Sequence, residues 1–338
     1  MNSNSSIRVL TLTPNPAIDE TIQVERLVPG EVHRASSVRR SAGGKGINVS
    51  SCLAGWGIKT RASGFLGRNN AEIFEDHFRL RGIEDAFIRL EGDTRTNIKI
   101  TGGGNTTDIN LPGASLGPED PRRLLETAAG LAGGVEIAIL AGSLPPLCPP
   151  ALYKDLTGRL RAEDPGSGGR GAGTGRPGCF VILDTDGEAL REALAAGTLP
   201  SCIKPNEREL SQWAGREFKD LPDMLRTVVQ LRGRGIALIV VSMGRKGAVF
   251  AGKDRILRAW AETGPIFSTV GAGDAMVAGV AAALLEGALP RGQSLERIAR
   301  LGAAFAAAKL GSNGPDLPEK AFIEETARNV EIDGLDSC

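Results

Sequence analysis

Between residues 120 and 328 the chain alternates short apolar, β-branched runs with longer segments of helical spacing, and this limits the fold more than any other feature. The spacing predicts helices near 120–132, 150–162, 220–234, 275–286, 294–310 and 318–328. Strand-like runs fall at 135–141, 179–184, 201–204, 236–242 and 247–251. Strands separated by helices pair in parallel, and the crossover helices then cover both faces of the sheet. Upstream, residues 7–13 read as a first buried strand ended by Pro14-Asn15-Pro16. Thr21-Ile22-Gln23-Val24 alternates as a half-exposed strand, and Phe65-Leu66-Gly67 closes another strand before a helix over 69–82. Thr94 to Ile100 is strand-like and leads into a hairpin around Gly102-Gly103-Gly104. The segments at about 17–40 and 94–111 do not fit the alternation, so a small separate β-sheet is expected for them. Residues 163–178, rich in Gly and Pro, read as a disordered insert.

Composition narrows the function classes. Lys plus Arg equals Asp plus Glu at 40 each, so no basic excess exists to neutralise a polyanion, which argues against a nucleic-acid binder. Aromatics are 4% while glycine reaches 45 residues, which suits tight turns better than a Tyr- and Trp-rich protein-binding face. The five cysteines are scattered and only two histidines exist, His33 and His77, so no zinc constellation is available. Free thiols are expected. The longest uncharged stretch, Ile137 to Tyr153, is broken by four prolines and cannot span a bilayer. With no signal-peptide pattern at residues 1–6, a cytoplasmic, soluble protein is the expectation.

Chemistry-bearing residues gather at glycine-rich turns and strand ends. In Gly271-Ala272-Gly273-Asp274 two glycines precede an apolar helical run, so free amides can converge on an anion at the helix start. Asp274 would sit beside that anion, placed to take a proton from an attacking hydroxyl; alternatively it caps a turn. Ser41-Ala42-Gly43-Gly44-Lys45-Gly46-Ile47-Asn48 allows close ligand approach, with Lys45 as a cation and Asn48 as donor and acceptor. It is not the Gly-x-x-x-x-Gly-Lys-Ser/Thr loop of nucleotide hydrolases, and a packed turn with Lys45 in solvent is the plain alternative. Asp19 follows the first strand, where open α/β sheets bind ligands, or bonds its own turn. Arg95 offers a planar fork for a phosphate, or a solvated charge. Strand ends carry Ser143, Asp184-Thr185-Asp186, Lys204 and Ser242-Met243-Gly244. Asn206-x-x-Glu209 suits oxygen ligation of hydrated Mg²⁺ and equally suits a capping box; both can hold at once.

Taken in order, Thr13–Asp19, Ala42–Val49, Gly142–Pro145, Lys204–Glu209, Ser242–Gly244 and Thr269–Asp274 strongly resemble the phosphofructokinase B family of ribokinase-like sugar kinases. The resemblance implies a three-layer α/β/α sandwich over residues 7–330 with a mostly parallel central sheet and a small β-sheet lid. It implies ATP and Mg²⁺ as co-substrate and cofactor. Asp274 would be the base, and in the turn of Gly271, Ala272 and Gly273 the amides of Ala272, Gly273 and Asp274 would form the anion hole. Asp19, Gly43, Gly44 and Asn48 would hold the sugar, with Lys45, Arg95 and Ser143 as candidates for its existing phosphate. Asn206 and Glu209 would organise the metal. Lys204, Ser242, Gly244 and Asn313 would lie toward the nucleotide. The lid also implies a homodimer. Lys45, Gly64–Asn70, Thr94–Lys99 and Trp213–Arg216 point to members that phosphorylate fructose 1-phosphate. Tagatose 6-phosphate and fructose 6-phosphate remain as alternatives, and a non-catalytic phosphosugar-binding regulator is a rival of another class. A nicotinamide dehydrogenase is disfavoured, since no Gly-x-Gly-x-x-Gly follows the first strand.

Overall fold

A computed structural model describes residues 6–162, 178–262, 264, 266, 270–288, 295–312 and 316–335. The insert, apart from Gly178, and the predicted nucleotide residue Asn313 lie outside the described residues. The amino-terminal third contains β1 (Val9–Thr13), β2 (Ala17–Gln23), β3 (Ser37–Gly43), α1 (Lys45–Gly55), β4 (Thr60–Gly67), α2 (Glu72–Arg81), β5 (Glu84–Asp85), β6 (Ile88–Leu90), β7 (Thr96–Gly102) and β8 (Asn105–Asn110). The middle runs through α3 (Asp120–Leu131), β9 (Ile137–Ala141), α4 (Leu152–Arg161), β10 (Phe180–Asp184), α5 (Gly187–Ala195), β11 (Cys202–Ile203), α6 (Glu207–Ala214), α7 (Leu221–Gly233) and β12 (Leu238–Ser242). The remainder is β13 (Ala248–Ala251), β14 (Ile256–Trp260), α8 (Ala272–Ala283), α9 (Leu295–Leu310), α10 (Lys320–Arg328) and β15 (Glu331–Gly334).

Among the described residues these form one large sheet in the order β15-β14-β13-β12-β11-β10-β9-β1-β4-β5, with β6 also on β4. From β12 to β5 it is parallel; β13, β14 and β15 continue it antiparallel. The two faces follow from strand period. Val9, Ile137, Ile139, Ile182 and Val240 face α1, α8, α9 and α10. Leu10, Leu12, Leu140, Val181, Leu183 and Ile239 face the leucines of α3, α4, α5, α6 and α7. On the first face helices α8 and α9 pack at close range: a Cβ at Gly279 would lie 2.5 Å from the Leu301 carbonyl oxygen.

The predicted second sheet is present, in the order β3-β2-β7-β8. Its β2 runs parallel to β7 and antiparallel to β3. It meets the body where Ile18 and Ala42 join Ile47, Leu66, Phe74, Phe78 and Phe87 in a third apolar cluster. Four strands and one helix go beyond the sequence reading: β5, β6, β14, β15 and α5. β15 (Glu-Ile-Asp-Gly) has no apolar run to announce it, and its backbone pairing to β14 creates it. No described helix is long and apolar enough to cross a membrane.

Candidate active site

The parallel strands end together at one edge of the large sheet, and α8 begins there. Gly271 precedes α8 with φ 78° and ψ 0°, a left-handed conformation that glycine adopts without a Cβ penalty. Having no side chain, it gives the first-turn amides of Ala272, Gly273 and Asp274 no side-chain cap of its own. Those amides lie at the positive end of a 12-residue helix.

Asp274 is 7% exposed, and its Oδ2 accepts a hydrogen bond of 2.8 Å from Asn48 Nδ2. Asn48 lies on the first turn of α1, so the contact joins segments 226 residues apart. Burial raises the Asp274 carboxyl, and the nearby Asp184 charge adds to this. The Asn48 bond and the charges of Lys45 and Lys204 pull the other way, leaving a pKa of about 6. A carboxyl so placed is a base near neutral pH.

Asp184 ends β10 at 1% exposure and lies between two lysines. Lys45 Nζ donates to its Oδ1 at 3.0 Å, and Lys204 Nζ is 3.4 Å from its Oδ2. Burial pushes the Asp184 carboxyl up, but the two lysines outweigh burial and hold it below the ordinary value. Burial likewise pulls Lys45 down, and Asp184 reverses this and holds Lys45 charged. Lys204 also reaches α8, since a Cβ at Gly273 would be 3.3 Å from its Nζ.

The turn after β9 is fixed by its glycine. Gly142 has φ 106°, its N–H donates to the Asp184 carbonyl, and its carbonyl accepts from Tyr153 Oη (3.0 Å) and Thr185 Oγ1 (2.9 Å). Ser143 follows, exposed, and accepts from Asn15 Nδ2 at 3.2 Å. Asn15 also donates to the carbonyls of Pro112 and Leu144. The guanidinium of Arg95 donates to the carbonyls of Asn15, Pro16 and Leu111, so it ties both ends of the small sheet to the β1 turn.

On the small sheet, Asp19 accepts from Asn97 Nδ2 at 3.1 Å, and burial raises its carboxyl. Gly43 lies under it; a Cβ there would be 2.2 Å from Asp19 Oδ2. Gly44, at φ 126°, turns the chain into α1 against Thr13 and Pro16. Asn206 and Glu209 form the predicted capping box at α6, each side chain accepting from the other's backbone N–H at 2.8 Å. Asn206 is also bridged to Ser242 at the end of β12, and Gly244, φ 59°, follows.

The structure therefore gathers Asp274, Asn48, Lys45, Lys204 and the Gly271–Gly273 turn around Asp184. Asp19 and Gly43 form a second group on the small sheet. Asp184 stands in the sequence reading only as a polar strand end, without a role, and two further polar residues are absent from the predicted site. Asn97 presents a buried Oδ1 that no donor reaches. Lys309, on the alanine-rich α9, is 8% exposed and passes beneath Gly271. Only Asp184 gave a signal, a carboxylate at a strand's C-terminal end.

Residues 12–321 match the pfkB family of carbohydrate kinases, and the chain belongs to that family. It is thus an ATP-using kinase of the phosphofructokinase group. The 1-phosphofructokinase of Xanthomonas campestris is 45% identical over 97% of this chain and 98% of its own length. That of Rhodobacter capsulatus is 38% identical over 98% and 99%. Among solved structures, phosphofructokinase-2 of Escherichia coli in complex with fructose-6-phosphate superposes with a TM-score of 0.81. It is 26% identical, covering 96% of this chain and 99% of that one.

Proposed function

We propose that this kinase transfers the γ-phosphoryl group of ATP to the free primary hydroxyl of fructose 1-phosphate, giving fructose 1,6-bisphosphate and ADP. The observation that carries this reading is the Asp274 carboxylate, buried beside the first-turn amides of α8 with a pKa of about 6. Asp274 takes the hydroxyl proton as the oxygen attacks phosphorus, and the bond to ADP breaks. The amides of Ala272, Gly273 and Asp274 stabilise the charge on the transferring group. Asn48 orients the base, while Asp19, Gly43 and Gly44 hold sugar hydroxyls. Lys45, Arg95 and Ser143 receive the 1-phosphate; Arg95 and Ser143 share Asn15, so both reach that end of the site. Lys204, Ser242, Gly244 and Asn313 serve the nucleotide.

Mg²⁺ fits the donor set in a limited way. No group of three or more metal-binding side chains occurs among the described residues. The Asn206 and Glu209 oxygens engage each other's amides, which suits a metal held chiefly by water and nucleotide phosphates. Bound so, Mg²⁺ supplies charge neutralisation for the phosphates. The small sheet closes over the sugar and excludes water, and it is the face through which two copies pair. The cytoplasm is the setting we assign.

A second reading, fructose 6-phosphate, is favoured by the likeness to the fructose-6-phosphate complex. ADP release from Mg-ATP with fructose 1-phosphate, fructose 6-phosphate or tagatose 6-phosphate separates the cases. We expect fructose 1-phosphate to have the highest kcat/KM. Preference for another sugar moves the substrate, and binding without turnover of any of them sinks the kinase roles.

A further inference from the structure

Lys309 is a buried cation to which the reaction proposed above gives no task. It stands in the last turn of α9, where a lysine ordinarily favours the helix dipole with its ammonium in water. Here it is 8% exposed, on the same helix as the buried Ala304, Phe305 and Ala308. Burying an ammonium costs free energy that an apolar side chain of the same length avoids. The dipole accounts for a lysine at this position; it does not account for the burial. The stem runs to the glycine turn that opens α8, where Cε lies 3.3 Å from the place a Cβ at Gly271 would take. The charged and titratable groups that reach it come from four elements: Asp274 on α8, Cys52 on α1, Arg81 on α2 and Arg39 on β3. Burial works most strongly against its charge, and the two arginines work the same way. Arg81 is itself paired with Asp316, and Arg39 is exposed on the small sheet. The Cys52 thiol, raised by burial to about 12, is neutral at physiological pH, which leaves Asp274 as the anion among these groups.

We infer that Lys309 is a positioning residue: set beside Gly271, its ammonium backs the amide turn with a full positive charge that stays in place through turnover, and steadies both the Asp274 carboxylate and the transferring phosphoryl group without touching the substrate. The inference rests on the kinase reading above and adds a residue to it. The amides at a helix start together supply only about half an elementary charge. A phosphoryl group in flight spreads more negative charge than that over its oxygens. A lysine on a packed helix adds to the field, and its four methylenes are already ordered by burial, so no further entropy is lost when ligand arrives. Gly271 then serves twice: it takes the left-handed turn at φ 78°, and it leaves the space beside that turn to the Lys309 stem.

Lys309→Met keeps the length of the side chain and removes its charge. It is expected to lower kcat about 10- to 100-fold and to weaken ATP binding, read by calorimetry without sugar, by a few-fold. The melting temperature should stay level or rise, because a buried charge is gone. The pH profile supplies a readout that packing alone would not move. As Lys309 loses its proton, wild-type kcat should fall along an alkaline limb placed below the ordinary lysine value, the direction in which burial moves it. That limb should be absent from Lys309→Met and also from Lys309→Arg, which stays protonated and should keep more of the rate. Turnover of Lys309→Met within about twofold of wild type overturns the inference. So does a loss that accompanies a lower melting temperature, or an alkaline limb that persists in both variants. If Lys309→Met folds poorly, the limb in Lys309→Arg decides alone, its absence supporting the inference and its persistence overturning it. A wild-type chain that binds ATP but turns over none of the three phosphosugars sinks the kinase reading instead, and the ATP affinity of Lys309→Met then still decides the role of Lys309.

Discussion

The large sheet and the small sheet solve opposite problems. In the body, β1 and β9 are buried along their whole length, and helices cover both faces. In the small sheet, β8 is exposed at every residue, and Val38 and Ile109 are 54% and 46% exposed. The body holds the buried Asp274 carboxyl, the glycine turn at the start of α8, and two lysines paired with Asp184. The small sheet contributes Asp19, Gly43 and Asn97, with one face and one edge left open. On the function proposed above, catalytic geometry is built on the stiff element, and substrate contact on the element with least to bury. Such a division suits a kinase, which must keep water from the γ-phosphate yet release product.

The comparison breaks most sharply at Asp274. Asp274→Asn removes the base and leaves the amides, so kcat should fall by about 10³-fold or more while ATP binding stays within a few-fold. Stopped turnover with retained nucleotide affinity fits a body that is built in advance. A variant turning over near the wild-type rate would remove Asp274 from the chemistry.

The pKa of Asp274 gives the next largest effect. With a value of about 6, kcat/KM should fall roughly tenfold per pH unit below that point, as the base is protonated. Stability should run the other way. An unfolded Asp titrates near 3.9, so between about pH 4 and 6 the native state holds a proton that the unfolded state has released. Stability is therefore lost as pH rises through that window, and the penalty persists above it. Asp274→Asn should lift it, raising stability by about 1–3 kcal/mol at pH 8 and by little near pH 4. Thermal unfolding at the two pH values checks this.

In the small sheet the sensitive contact is steric. Gly43→Ala would place a methyl 2.2 Å from Asp19 Oδ2, so the carboxylate must move away from the sugar site. KM for the phosphosugar should rise about 10- to 100-fold, with KM for ATP little changed. A proportional rise in both would mean that the disturbance reaches the body, and the two regions would not be separable.

How much of this could be read from the chain differs between the two regions too. Local signals were strong in the body: short continuous apolar runs such as Ile137–Ala141, the glycine turn at Gly271–Gly273, and the Asn206/Glu209 capping box. Their ends match within a few residues because turns and apolar periodicity are themselves local. The separate sheet was legible because β2, β3, β7 and β8 break the strand–helix alternation. The pairing of Asp184 with Lys45 and Lys204 was not legible. Lys45 and Asp184 are 139 residues apart, and nothing near Asp184 says which charges will face it. Lys309 was hidden in the same way, inside a run of alanines whose spacing announces only a buried helix. Arg95 was legible as a guanidinium for an anion; its three backbone carbonyls depend on how the sheet's ends return to the β1 turn.

The smallest effect concerns stability and tests the exposed face directly. Ile139→Ala in β9 opens a cavity between the sheet and its helices and should cost about 2–5 kcal/mol. Ile109→Ala in β8 removes a side chain that is 46% exposed and should cost less than about 0.5 kcal/mol. Chemical denaturation of both variants at one low protein concentration gives the ratio. If Ile109→Ala costs more than about 1.5 kcal/mol, with a midpoint that rises with protein concentration, the open face is covered in solution by a second copy. The small sheet would then owe its order to pairing rather than to the body. A small, concentration-independent cost would mean that the third cluster, where Ile18 and Ala42 meet Phe74 and Phe78, suffices to hold it.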